Sequence, residues 1–170
     1  MQELAASLAR DVDAAFPQLL GALQNDVYSG MRRLTGNRAD AEDLAQETFL
    51  RAYRALKGYP PARIATMSLR GWIWTIALNL SRNHARDRAR RPLPLPMHEQ
   101  VDHEPEAPES ALWDRRLKRL APAVRKAVVL RHVVGLTYAE LAEALGKPRG
   151  TVKADVHRGI ATLKQIIEEE

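Results

Sequence analysis

The chain has 170 residues, 45% hydrophobic and 28% charged, with no cysteine and a formal net charge of +5. That length allows one domain or two small ones with enough apolar content for packed cores, and the missing cysteines exclude disulfides and thiolate metal sites. The positive balance favours a polyanionic partner. No apolar run reaches the ~18 residues of a membrane span and no basic-then-apolar leader is present, so a soluble cytoplasmic protein without membrane insertion is expected.

In chain order, residues from about Val12 to Leu34 read as one or two helices broken near Phe16-Pro17, and Thr35-Gly36-Asn37 reads as a turn. The strongest periodicity follows. Ala41, Leu44, Ala45, Thr48, Phe49, Ala52, Tyr53 and Leu56 keep i, i+3, i+4, i+7 spacing, which predicts one buried helical face. The acids of Asp40-Ala41-Glu42-Asp43 sit where they complement the helix dipole, a better reading than a metal cluster. Opposite the buried stripe lie Asp43, Gln46, Glu47, Leu50 and Arg54. Leu50, apolar among polar neighbours, fits the anchor of a docking surface, although single exposed leucines are common.

Gly58, Pro60 and Pro61 end that helix, and a loop reaches about Thr66-Met67. Ser68 then caps a helix whose apolar stripe includes Leu69, Trp72, Ile73, Ile76, Ala77 and Leu80. Trp72 and Trp74, two residues apart, cannot share a face, so one packs inward and the other lies near Asn79. The helix runs into Arg82-Asn83-His84-Ala85-Arg86-Asp87-Arg88-Ala89-Arg90-Arg91, a net +4 in ten residues. Aromatics beside arginines form a stacking surface and a charge track for unpaired bases. Two core tryptophans followed by a solvated basic tail fit the composition equally well.

From Pro92 to Pro108 the chain carries five prolines, four acids and no lysine or arginine. This composition reads as a flexible, acidic, proline-rich linker able to span roughly 55–60 Å when extended. The expected organisation is all-α: a helical domain over residues 1–91, the linker over 92–108, and a second helical domain over 109–170.

In that second domain Ala111, Leu112, Leu117 and Leu120 suggest a first helix, and Val124, Val128, Val129 and Val133 a second one after Pro122. A helix-turn-helix follows. Thr137 and Glu140 have capping-box spacing, and Tyr138, Leu141, Ala142 and Leu145 share a face. Gly146 permits the turn, and Pro148 leads into a second helix. There Val152 and Val156 point inward, while Arg149, Lys153 and His157 share another face with Arg158 beside it. Two short helices around a glycine turn, the second basic, form the layout of a major-groove reader. A C-terminal helical tail carries Leu163, Ile166 and Ile167.

The segment Asp40–Leu56 closely resembles the second conserved region of bacterial extracytoplasmic-function (ECF) sigma factors. Gly71–Asn79 resembles the same family's promoter-melting segment. Leu120-Ala121-Pro122, Leu130-Arg131, Gly135–Ala142 and Gly150-Thr151-Val152-Lys153 resemble its fourth region. The motifs stand in family order and cover roughly residues 12–91 and 109–167.

The resemblance implies roles. Asp43, Gln46, Glu47, Leu50 and Arg54 would dock on the β′ clamp helices of core RNA polymerase. Trp72, Trp74, Asn79, Arg82, Arg86 and Arg90 would engage the −10 element, with Asn79 helping to capture a flipped base. Arg149, Thr151, Lys153, Ala154, His157 and Arg158 would read the −35 element. The β subunit flap, promoter DNA and an anti-sigma factor are the other implied partners, and the linker would thread toward the active-site cleft and RNA exit path.

Some positions depart from the family pattern. Thr75 stands where arginine is frequent, Ala154 and Asp155 replace a small-polar/basic pair, and Gly159 stands where alanine is usual, which costs up to ~1 kcal/mol of helix propensity. Asp155 is expected near the DNA, accepting from a cytosine amine or repelling wrong sequences.

No catalytic constellation, phosphate loop or nucleophile elbow is present, so neither an enzyme nor a cofactor is expected. Two other functions compete with the sigma-factor reading. A stand-alone helix-turn-helix regulator would bind palindromic duplex as a dimer. A sigma-mimicking regulator would bind an anti-sigma factor and dispense with both basic surfaces.

Overall fold

The computed structural model describes residues 1–90 and 108–170, so the expected linker lies outside the described residues except for Pro108, which opens a helix. The protein is all-α, with two helical domains. The first comprises α1 (Gln2–Arg10), α2 (Val12–Thr35), α3 (Arg38–Gly58), α4 (Pro61–Ala65) and α5 (Leu69–Arg90). The second comprises α6 (Pro108–Lys118), α7 (Pro122–Val128) with a π-helical continuation over Val129–Val133, α8 (Tyr138–Leu145) and α9 (Arg149–Glu168).

Helix α3 folds as its periodicity predicts. Asn37 caps it by accepting from the Asp40 N–H at 2.9 Å, and Ala41, Leu44, Ala45, Thr48, Phe49, Ala52 and Leu56 are buried. The Thr48 hydroxyl satisfies itself inside the core by donating to the Leu44 carbonyl at 2.6 Å. This stripe packs on α2 and α5.

Two local expectations need correction, and one helix was not foreseen. Helix α2 does not break at Pro17 but continues through it. Proline removes one hydrogen bond and crowds the preceding turn. The uninterrupted buried row Ala15, Leu19, Leu23, Val27 and Met31 offsets that loss. The residues before Val12 form α1, whose Ala5 and Leu8 are buried against α2 and α4. The stretch read as a loop after Gly58 contains α4. Pro60 is extended, Pro61 starts the helix with its φ already suited to it, and Ile64 is buried.

In the second domain the Thr137–Glu140 capping box forms, with bonds of 3.2 and 2.8 Å. Gly146 ends α8 at φ 61°, a left-handed conformation that side chains resist. The second helix of the motif and the C-terminal tail are one continuous helix, α9. Val152 and Val156 are buried as expected, and Leu163 and Ile166 continue the same face, whereas Val133 and Ile167 are exposed.

The two domains share a core. Helix α5 lies along α8, and α2 meets the π-helical turn. Trp74, Leu130, Val134, Leu136 and Leu141 belong to one buried cluster with Val27, Met31 and Ile73. Gly30 permits this closeness, because a methyl there would collide with the Trp74 ring and Val134. Polar contacts flank the apolar seam. Arg70 Nη2 donates to the Val134 carbonyl at 2.9 Å, and Arg33 pairs with Asp114 at 2.6 Å.

Gly159 is a packing device, not merely a weak helix former. Helix α9 presses on α7 there, and a methyl on Gly159 would collide with Val128 and Val124. Overpacking of this kind costs about 1–3 kcal/mol, more than alanine gains in propensity. Gly159→Ala is therefore expected to lower the melting temperature in thermal denaturation followed by circular dichroism, the opposite of the propensity forecast.

Candidate nucleic-acid interface

Three exposed surfaces carry the residues singled out from the sequence. The first is on α3. Asp43, Gln46 and Arg54 are exposed, Glu47 is half-buried, and Leu50 is 43% exposed. Glu47 pairs with Arg51 at 2.6 Å. Gln46 and Leu50 also edge a groove of about 540 Å³ between α2 and α3, with Phe16, Leu20, Tyr28 and Phe49 in its lining. Two residues of the stripe seen in the sequence, Gln46 and Leu50, thus border a two-helix groove, while Asp43, Glu47 and Arg54 lie outside its lining. The residues contributed by α2 were missed because pairing between helices leaves no trace in either helix's own period. Within that lining, Phe16 and Tyr53 meet edge to face at 5.2 Å. The Tyr53 hydroxyl donates to Asp13 at 2.6 Å. Hydrogen bonds from Lys57 and Tyr53 hold the Asp13 carboxyl below its ordinary range.

The second surface is the outer half of α5. Trp72 and Trp74 do separate as predicted. Trp72 is half-buried against Tyr59, with ring centroids 5.9 Å apart, and the Arg63 guanidinium stacks over Tyr59 at 3.6 Å. Trp74 is 1% exposed, sealed at the domain seam, so this arrangement offers no face of it to a base. Asn79 is exposed, and its Oδ1 accepts from Arg82 Nη2 at 3.2 Å. Arg86 donates to Asn83 at 2.9 Å, and Arg88 pairs with Asp40 at 2.7 Å. Asp40 therefore fastens the start of α3 to the end of α5, besides its place at a helix N-terminus. Arg82, Arg86 and Arg90 are exposed along the track. Tyr59 and Arg63 went unnoticed in the sequence because they belong to the stretch read as loop.

The third surface is on α9. Arg149, Thr151, Lys153, Ala154, His157 and Arg158 are all exposed, while Val152 and Val156 lock the opposite face. Asp155 is not where it was expected. It is 4% exposed and accepts from Lys147 Nζ at 3.0 Å and from Arg158 Nη2. It lies one turn from Val152 on the buried row, so a cytosine amine cannot reach it. Hydrogen bonds from Lys147 and then Arg158 outweigh burial and hold its carboxyl below the usual range.

Positive charge gathers where the domains meet. Burial lowers the Lys126 ammonium from its ordinary pKa, and Arg82, Arg125 and Lys147 lower it further. Arg82 comes from the first domain and the others from the second, so closure crowds like charges that a polyanion would relieve. Closure also explains Thr75. Its hydroxyl donates to the Gly71 carbonyl at 2.9 Å and lies 3.4 Å from the Glu143 carbonyl of α8.

The chain matches the family descriptions "Sigma-70 region 2" over residues 19–91 and "Sigma-70, region 4" over residues 110–163. It is 38% identical to the ECF RNA polymerase sigma factor SigE of Mycolicibacterium smegmatis, covering 83% of this chain and 57% of that protein's length. It is 33% identical to the RNA polymerase sigma-E factor of Streptomyces avermitilis, covering 90% of this chain and 85% of that one. Among solved structures, CnrH in complex with the cytosolic domain of CnrY shares the fold at a TM-score of 0.75 and 24% identity, covering 99% of this chain and 97% of that one. The sigma factor RpoE of Bartonella quintana, in complex with the anti-sigma factor NepR, shares it at 0.72 and 22%, covering 90% and 96%.

Proposed function

The chain belongs to the ECF sigma factors of bacterial RNA polymerase, and from that premise we propose that it is a non-enzymatic, cytoplasmic specificity subunit. It docks on core polymerase, reads the −35 and −10 elements of a promoter and holds the −10 strand open. The work divides between residues 1–91, which dock and melt, and residues 109–170, which read the −35 element and meet the β subunit flap, with 92–108 joining them. Control falls to a separate anti-sigma factor, a reading supported by the anti-sigma factor NepR named in the complex of one structural neighbour. The observation that carries the proposal is the pair of basic helix faces, on α5 and α9, each exposed while its opposite face is fixed in a core.

The chemistry follows from these surfaces. The α2–α3 groove, edged by Leu50, takes apolar side chains of the clamp helices, and Asp43, Gln46 and Arg54 set the register around it. The α5 arginines hold the displaced strand through its phosphates. Asn79 presents both a donor and an acceptor to the edge of a base that has left the stack. Binding energy at these groups offsets the few kcal/mol of unstacking.

Promoter geometry then constrains the domains. The −35 and −10 elements lie roughly 80 Å apart along B-DNA, at about 3.4 Å per base pair. Here α5 packs directly on α8. Engaging both elements therefore separates the domains, frees Trp74 from the seam and takes Arg82 away from Lys126.

Reconstituted transcription with core polymerase over a promoter library tests the whole reading. Promoter-specific initiation is expected, and binding of palindromic duplex as a dimer without polymerase would point instead to a stand-alone regulator. Leu50→Asp is expected to keep the fold and to weaken core binding by about 2 kcal/mol or more in a titration of labelled protein. Unchanged affinity would remove α3 from the docking surface.

Asn79→Ala is expected to bind core normally and to show weak permanganate reactivity at the −10 segment of a duplex promoter. Helix α5 runs on to Arg90, so Asn79 does not terminate it, and a melting curve close to that of the parent protein should accompany the defect. A promoter with the −10 segment already unpaired should recover only part of the activity. Normal permanganate footprints would exclude Asn79 from strand capture.

A further inference from the structure

Among the described residues, Asp155 is the one charged residue that the fold buries. Burying a carboxylate is costly unless it is paired and hydrogen-bonded. This one is satisfied by two cations that themselves remain in reach of solvent. The Lys147 side chain is 35% exposed and that of Arg158 is 69% exposed. Lys147 comes from the turn between the two helices of the motif, and Arg158 from the third turn of α9. Asp155 thus ties the turn to the reading helix and takes hold of one nitrogen of the Arg158 guanidinium.

An arginine that reads guanine needs its planar fork set against O6 and N7 in one plane. A free arginine loses side-chain entropy on reaching that geometry. Arg158 engages Asp155 through Nη2 and has five N–H donors in all, so donors remain for a base. The carboxylate is too deep to touch DNA itself, and its charge is matched by its two partners.

We propose that Asp155 is a positioning residue for −35 recognition, holding Arg158 in the orientation that selects a guanine in the major groove. This rests on the reading of α9 as the −35 helix. It replaces direct contact between Asp155 and a base with an effect transmitted through Arg158. It also accounts for an acidic residue in the middle of a basic helix, a position where a phosphate-facing carboxylate would repel DNA.

The test is a double-mutant cycle between Asp155→Asn and Arg158→Ala, read as relative initiation from −35 sequences that differ at each guanine, with core polymerase present. Arg158→Ala is expected to reduce the preference for one guanine roughly tenfold. Asp155→Asn is expected to reduce the same preference by a comparable factor, and the double variant to fall no further than Arg158→Ala alone. Overall affinity for non-specific duplex should hold or rise with Asp155→Asn, since a negative charge is removed. A merely structural role would instead lower all sequences together.

Because Asp155→Asn leaves two cations unmatched, the paired variant Asp155→Asn with Lys147→Gln, which keeps the net charge, is measured beside it. It should show the same loss of guanine preference with a near-parental melting curve. If Arg158→Ala leaves the −35 ranking unchanged, the assignment of this residue to base reading fails. If Arg158→Ala changes the ranking while folded Asp155→Asn and the paired variant do not, the positioning role of Asp155 is overturned.

Discussion

Trp74 stands where the two domains meet, and much of the structure is arranged around its burial. Gly30 makes room for its ring, Val134 closes over it, and Arg70 binds the carbonyls of Val134 and Gly135 beside it. Burying an aromatic side chain removes about 150–250 Å² from water, and Trp74 shares that burial between α2 of its own domain and the second domain. The same contact withdraws part of α5, the helix proposed to meet the −10 element, from solvent. Closure also brings Arg82 of the first domain near Lys126 of the second, whose ammonium pKa is lowered by burial and then by Arg82, Arg125 and Lys147.

The two helices proposed to face DNA solve the presentation problem differently. Helix α9 is held along Val152, Asp155, Val156 and Gly159, so its outer face has a fixed rotation about the helix axis. Such rigidity suits the reading of base edges, where a small rotation misplaces every donor. The outer half of α5 is held at its end by Asp40 through Arg88 and His84, while its outward arginines are anchored mostly to neighbouring asparagines. A looser array suits a single strand, whose backbone is followed by charge rather than by register.

Much of this was legible in the sequence because it is local. The α3 stripe, the Thr137–Glu140 box, the Gly146 turn and the inward pair Val152 and Val156 are all set by residues within a turn or two of each other, and the family motifs fall on those elements. What was hidden depends on partners distant in the chain. Pro17 read as a break because the buried row that carries α2 past it becomes decisive only against α3. Gly159 read as a propensity loss because Val124 and Val128, on another helix, make its missing side chain useful. Asp155 differs: its partners Lys147 and Arg158 are near in the chain, and it read as DNA-facing because its charge was weighed without its place on the buried row of Val152 and Val156. The groove beside Leu50 needed two helices side by side.

The account turns on domains that meet through Trp74 and part on promoter DNA. The chain has no cysteine, so dyes placed on Ala22→Cys and Gln165→Cys, both at exposed positions, report the distance between α2 and α9 by single-molecule energy transfer. Free protein should give one short distance, and addition of core polymerase with promoter DNA should lengthen it by tens of ångströms, as elements roughly 80 Å apart require. An unchanged short distance in a complex that opens the promoter would contradict the account.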